Sequence, residues 1–79
     1  MAKNREAICG ALVEVLKKTD RCKEMYAMTY IESQNCVIAY FYGRRFVRIW
    51  LDKHDDFEMI REIVEVLEKQ TEYEVDDEG

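Results

Sequence analysis

Apolar positions change their spacing along the chain, and each change marks an element. From Asn4 to about Lys18, Ile8, Ala11, Leu12, Val15 and Leu16 recur every three or four residues, and Cys9 and Val13 widen the stripe. That is the period of an amphipathic helix, with Glu6, Gly10, Glu14, Lys17 and Lys18 on its wet side. Asn4 is its expected N-cap, and the lysines suit the end that favours cations. After Thr19-Asp20-Arg21 the period shortens to two: Tyr26, Met28 and Tyr30 alternate within a run of β-formers, which predicts a strand over about Glu24–Glu32. Ser33-Gln34-Asn35 is a polar turn, and Asn35 suits a left-handed backbone.

The densest apolar block, CVIAYFYGRRFVRIWL over Cys36–Leu51, predicts a hairpin with strands of about Cys36–Tyr42 and Arg45–Leu51. Val47, Ile49 and Leu51 must face inward, because Arg48 and Asp52 alternate against them. The partner strand's facing depends on the turn. A two-residue loop at Gly43 turns Ile38 and Tyr40 inward. A three-residue loop, Tyr42-Gly43-Arg44, turns Val37, Ala39 and Phe41 inward and leaves Ile38, Tyr40, Tyr42, Phe46, Arg48 and Trp50 outside. The second is favoured, since tyrosine tolerates a half-wet face better than valine or phenylalanine.

A second helix is predicted over 55–70. Asp55 and Glu58 fit a capping box, and Phe57, Ile60, Ile63, Val64 and Leu67 form its core stripe, extended by Met59 and Val66. The remaining residues, 71–79, alternate briefly through Tyr73 and Val75, as a short edge strand would, but their acids favour a loose tail. The expected fold is therefore α+β: one α-β-β-β-α domain spanning 1–79, a three-stranded antiparallel meander with both helices on one face. Its other face has nothing to cover it.

Composition sharpens this in two ways. With 79 residues there is room for one core, and such a core supplies only roughly 3–5 kcal/mol, so association is a natural source of further stability. The absence of proline and the presence of only three glycines predict short turns rather than long loops. The N-terminus leads straight into a helical pattern, and the longest uncharged apolar run, Cys36–Tyr42, falls far short of the ~20 residues of a membrane span. A soluble, cytoplasmic protein is expected.

Candidate chemistry is sparse. Cys9, Cys22 and Cys36 are odd in number and lack C-x-x-C spacing, so reduced, partly buried thiols are expected. One disulfide plus a free thiol, or a zinc site completed by His54, are the alternatives; gaps of 12, 13 and 17 residues lack the close ligand pairs of structural zinc sites. His54, the single histidine, reads as a helix-entry residue. Residues 52–56 are rich in donor atoms but lack the glycine and alternate spacing of a calcium loop. No glycine-rich phosphate loop exists. No catalytic residue, cofactor or metal is expected, and the chain reads as a non-enzyme.

Gly43–Trp50 mixes arginines with aromatics, as single-strand stacking platforms do. In Phe46-Val47 it resembles the RNP1 strand of RNA-recognition domains, but Arg44 and Arg45 stand where that motif needs an aromatic and a small residue. Direct nucleic-acid binding is therefore not favoured, and the arginines read as a solvated hairpin tip and an edge guard. Charge is segregated. Residues 1–51 carry 9 basic and 5 acidic side chains, net +4, whereas residues 52–79 carry 3 and 12, net −9. Asp55, Glu58, Glu62, Glu65, Glu72, Glu74, Asp76, Asp77 and Glu78 form an acidic surface that either solvates the helix and tail or docks on a basic nucleic-acid-binding protein. In layout, size and acidity the chain is similar to some phage-encoded anti-CRISPR inhibitors that mimic nucleic acid, a resemblance carried by no residue motif. The leading expectation is an interaction protein that homodimerises through Tyr40, Tyr42, Phe46, Arg48 and Trp50.

Overall fold

The computed structural model describes residues 2–51, 55–70 and 72–75. Its elements are α1 (Ala2–Leu16), β1 (Met25–Ile31), β2 (Cys36–Phe41), β3 (Arg45–Trp50), α2 (Asp56–Lys69) and β4 (Glu74–Val75). They form an α+β domain with one antiparallel sheet in the order β1-β2-β3-β4. The predicted three-strand meander is present, and the brief alternation after α2 makes a fourth, two-residue strand rather than a loose tail. Pairing of Arg45 with Val75 and of Phe46 with Glu74 seats it on β3. Asp76, Asp77, Glu78 and His54 lie outside the described residues.

The hairpin takes the three-residue loop. Phe41 pairs with Arg45 and Tyr40 with Phe46, so Tyr42-Gly43-Arg44 form the turn. Gly43 (φ 85°) and Arg44 (φ 62°) both adopt left-handed backbone, which glycine does without steric cost. This register sends Val37, Ala39, Phe41, Val47 and Ile49 inward, and all five are buried. Asn35 takes φ 49°, as its residue type anticipates.

Both helices cover that inner face. Cys9 and Val13 of α1, and Met59, Ile63 and Leu67 of α2, share one core cluster with Met25, Met28 and the inward residues of β2 and β3. No polar or charged residue is buried among the described residues. Each helix is rotated from the facing expected of it. In α1 the buried line runs through Cys9 and Val13, while Val15 is 63% exposed and Ala11 is exposed. In α2 it runs through Met59, Ile63 and Leu67, while Phe57 is 81% exposed and Val64 is exposed. Helical spacing permits either line, since Ile63 and Leu67 belong to both. α1 also starts at Ala2, within which Asn4 is an interior residue and not the cap.

The end of the sheet away from the hairpin turn is fastened by polar contacts. Arg5 of α1 donates to Asn35 Oδ1 (3.0 Å) and Tyr30 Oη (3.4 Å), and its guanidinium lies 5.5 Å from the Tyr30 ring. Tyr30 Oη donates to the same Asn35 oxygen at 2.9 Å, and Asn35 Nδ2 donates to the Leu51 carbonyl at 3.3 Å. Arg5 Nε also lies 3.9 Å from Asp56 Oδ1 in the first turn of α2.

Candidate protein interface

Strand register assigns the outer face without further assumption. Cross-strand partners share a face, so Cys36 with Trp50, Ile38 with Arg48, and Tyr40 with Phe46 lie on the side opposite the helices. Ala27, Thr29 and Ile31 of β1 complete it. All five residues expected at an interface, Tyr40, Tyr42, Phe46, Arg48 and Trp50, are brought together there. Trp50 is 59% exposed and Tyr42 62% exposed, whereas Ile38 at the centre is only 7% exposed, screened by its larger neighbours.

Tyr26 belongs with them, and the alternation in β1 conceals this. A register shift between Met25 and Ala27 turns Tyr26 away from the inward side that Met28 and Tyr30 occupy. Its ring lies 5.1 Å from that of Tyr42 and 6.3 Å from that of Tyr40, a cluster of mutually tilted tyrosines at the turn end of the face. A bulge is a local backbone decision, and no residue type announces it here. Along β3, the Arg48 guanidinium lies 5.9 Å from the Phe46 ring and 5.7 Å from the Trp50 ring. It is the only charge that β1, β2 and β3 present on this face. A hollow of about 250 Å³ lies among Ile38, Tyr40, Phe46 and Arg48.

The other two hairpin arginines divide. Arg44 is exposed in the turn. Arg45 is not a free tip charge: it pairs with Glu24, donates Nε to the Tyr42 carbonyl at 3.0 Å, and stacks 5.0 Å from the Tyr73 ring. Tyr73 in turn meets Phe41 edge-on at 5.0 Å, so β4 is held by aromatic packing as well as by its ladder.

The acidic residues fall into two groups. Asp55 caps α2, accepting from Glu58 N at 2.9 Å while Glu58 Oε1 accepts from Asp55 N at 3.3 Å, the expected capping box. Glu58, Glu62 and Glu65 continue from it along one flank of the helix. Glu72 and Glu74 are exposed beside β3, with Glu74 on the aromatic face opposite Phe46. Arg48, Glu72 and Glu74 line a second hollow of about 250 Å³.

Cys9, Cys22 and Cys36 are free and buried. Burial, reinforced by the Glu6 carboxylate, pushes the Cys9 thiol up to about 11, and burial raises Cys22 as well despite the Thr19 hydroxyl and Arg21. Both are therefore held as thiols at neutral pH. Among the described residues no group of three or more His, Cys, Asp or Glu converges as metal ligands would, and no helix is long and apolar enough to cross a membrane. Comparison with family models, with curated proteins and with solved structures found no match.

Proposed function

We propose that this chain is a non-catalytic protein–protein interaction module that homodimerises through the outer face of its sheet. The observation that carries the reading is the placement of Tyr26, Tyr40, Tyr42, Phe46, Arg48 and Trp50 on one uncovered surface over a hydrophobic floor. Tyrosine, tryptophan and arginine are the residues that dominate binding hot spots. The face is also graded in size. β3 contributes Phe46, Arg48 and Trp50, and β1 contributes Ala27 and Thr29, so a two-fold axis parallel to the strands lays the tall column of one copy over the low column of the other. Sheets packed in this way sit ~10 Å apart.

The exposed parts of these side chains amount to about 500 Å² per copy, taking 150–250 Å² for each fully covered aromatic. A standard interface uses ~800 Å² per partner, so this face falls at the small end of the size range, where transient contacts sit. Sedimentation equilibrium at about 50 µM tests this, with association expected at that concentration. The variant Trp50→Glu should halve the assembly mass. A native monomer at that concentration, with Trp50 fluorescing as in water, overturns the reading.

A second reading rests on the acidic flank of α2. Asp55, Glu58, Glu62 and Glu65, with Glu72 and Glu74 beyond the helix, would dock on a basic nucleic-acid-binding protein in the manner of a nucleic-acid-mimicking inhibitor. Capture of such a protein should be released by ~0.5 M salt, where screening confines charge attraction to a few ångströms; capture indifferent to salt counts against it. Direct nucleic-acid binding would fall to Arg44 and Arg48, since Arg45 is engaged within the fold; a gel shift at low salt with no retardation disposes of it.

A further inference from the structure

The two edges of the sheet are built differently. On the β3 side, β4 covers Arg45 and Phe46, and exposed Arg48 guards the stretch beyond. On the β1 side, Met25–Ile31 is the outermost strand and contains neither a charge nor a proline. Charge and proline are two of the devices that keep an edge from pairing; β1 has neither, and carries instead the bulge at Tyr26 and the packing of α1 against the strand. Beyond the bulge, Ala27–Ile31 runs in unbroken register.

The direction of its backbone groups follows from two bonds of β2's flanks. Tyr42 N bonds to Glu24 O at 3.0 Å, and Leu51 N bonds to Asn35 O at 3.1 Å. Even-numbered positions of β2 therefore turn their N–H and C=O groups to β1, and odd-numbered ones to β3. Ala27, Thr29 and Ile31, paired with even positions, are committed to β2. Met28 and Tyr30, paired with Ala39 and Val37, point theirs out of the sheet. Among the described residues these outward groups have no partner.

We infer that the β1 edge is a second homotypic interface, at which Ala27–Ile31 pairs antiparallel with the same strand of another copy about a two-fold axis through Thr29. The strand suits itself in that register. Met28 meets Tyr30 of the second copy in two narrow pairs, each exchanging both main-chain bonds, on the helix-covered side. Ala27 meets Ile31, and Thr29 meets Thr29, on the aromatic side, a favourable cross-strand set. The uncharged strand asks for an uncharged partner. The outer face alone offers less area than a standard interface, so a second contact is what a stable assembly needs. This inference goes beyond the face-to-face dimer and does not depend on it.

The register places the two Thr29 Cα atoms in a wide pair ~4.5 Å apart, inside the 4.4–6.8 Å range of a disulfide. Thr29 is exposed, so Thr29→Cys should fold as the native chain does. Mild oxidation should cross-link it to a covalent dimer, both alone and combined with Trp50→Glu. The native chain, whose thiols are buried, should not cross-link, and neither should Glu32→Cys, which lies about 20 Å from its copy in this register. Cross-linking of Thr29→Cys in both backgrounds supports the edge contact. Absence of cross-linking of Thr29→Cys, where the native chain associates and its mass falls with Trp50→Glu, overturns the edge contact and leaves the face standing. Cross-linking with no effect of Trp50→Glu on mass upholds the edge and removes the face. Cross-linking of Glu32→Cys at an equal rate overturns the register.

Discussion

The rotation of α2 makes the sharpest prediction, because two residues of similar bulk and sequence position exchange roles. Phe57 is 81% exposed in the first turn of the helix, and Met59 is fully buried among the inward residues of the sheet. Truncating a buried methionine to alanine costs 2–5 kcal/mol, since lost transfer energy and an unfilled cavity add. A core of this size yields only roughly 3–5 kcal/mol in total. Met59→Ala should therefore be largely unfolded at 25 °C without denaturant. Phe57→Ala removes a larger side chain that touches mostly water, and surface changes stay within about ±0.5 kcal/mol. Its melting temperature should move by no more than about 4 °C, given 4–8 °C per kcal/mol for a domain of this length. Circular dichroism melts of both variants, at concentrations too low for association, decide the matter. If Phe57→Ala proves as damaging as Met59→Ala, α2 is rotated the other way and the core described above is wrong.

Two further outcomes test separate parts of the structure. The Cys9 thiol is pushed from 9.0 up to about 11 by burial and by Glu6. A raised folded-state pKa contributes stability that is whole below pH 9 and is lost as pH climbs toward 11, because the unfolded thiol ionises first. Urea midpoints should therefore hold from pH 7 to 9 and then fall, with a shallower fall in Cys9→Ala; identical slopes in the two proteins would reject the linkage. In the hairpin, Gly43→Ala should cost about 1–2 kcal/mol, the penalty of a left-handed backbone for a residue with a Cβ. The added methyl meets only Arg45 Nε at 3.5 Å, ordinary contact, so the cost is conformational and a thermal melt should show it without loss of the fold.

The hairpin register was legible because one alternative would have exposed Val37 and Phe41 and buried tyrosines, and the chain distinguishes those residues chemically. The capping box was legible for a similar reason, since Asp55 and Glu58 have few other uses at that spacing. Helix rotation was not. The lines through Phe57 and through Met59 share Ile63 and Leu67, and the choice between them is made by the sheet, which a single helix's pattern does not contain. The candidate interface followed from the register, so five of its residues were readable. Tyr26 was not, because its facing depends on one extra residue in β1. The fourth strand was visible as Tyr73 and Val75, but its hold on the domain lies in Arg45 and Phe41, distant in sequence.

The contacts around Asn35 join the start of the chain to its middle. Arg5, Tyr30 and Asp56 come from α1, β1 and α2, Asn35 from the turn before β2 and Leu51 from the residue after β3, and they meet at one pole of the molecule. Shortening the N-terminus past Arg5 would thus unfasten α1, the first β-turn and the entry of α2 in a single stroke. The opposite pole, around Gly43, has a clasp of its own in Arg45, which ties the turn to Glu24 and to Tyr73, so the ribbon is buttoned at both ends.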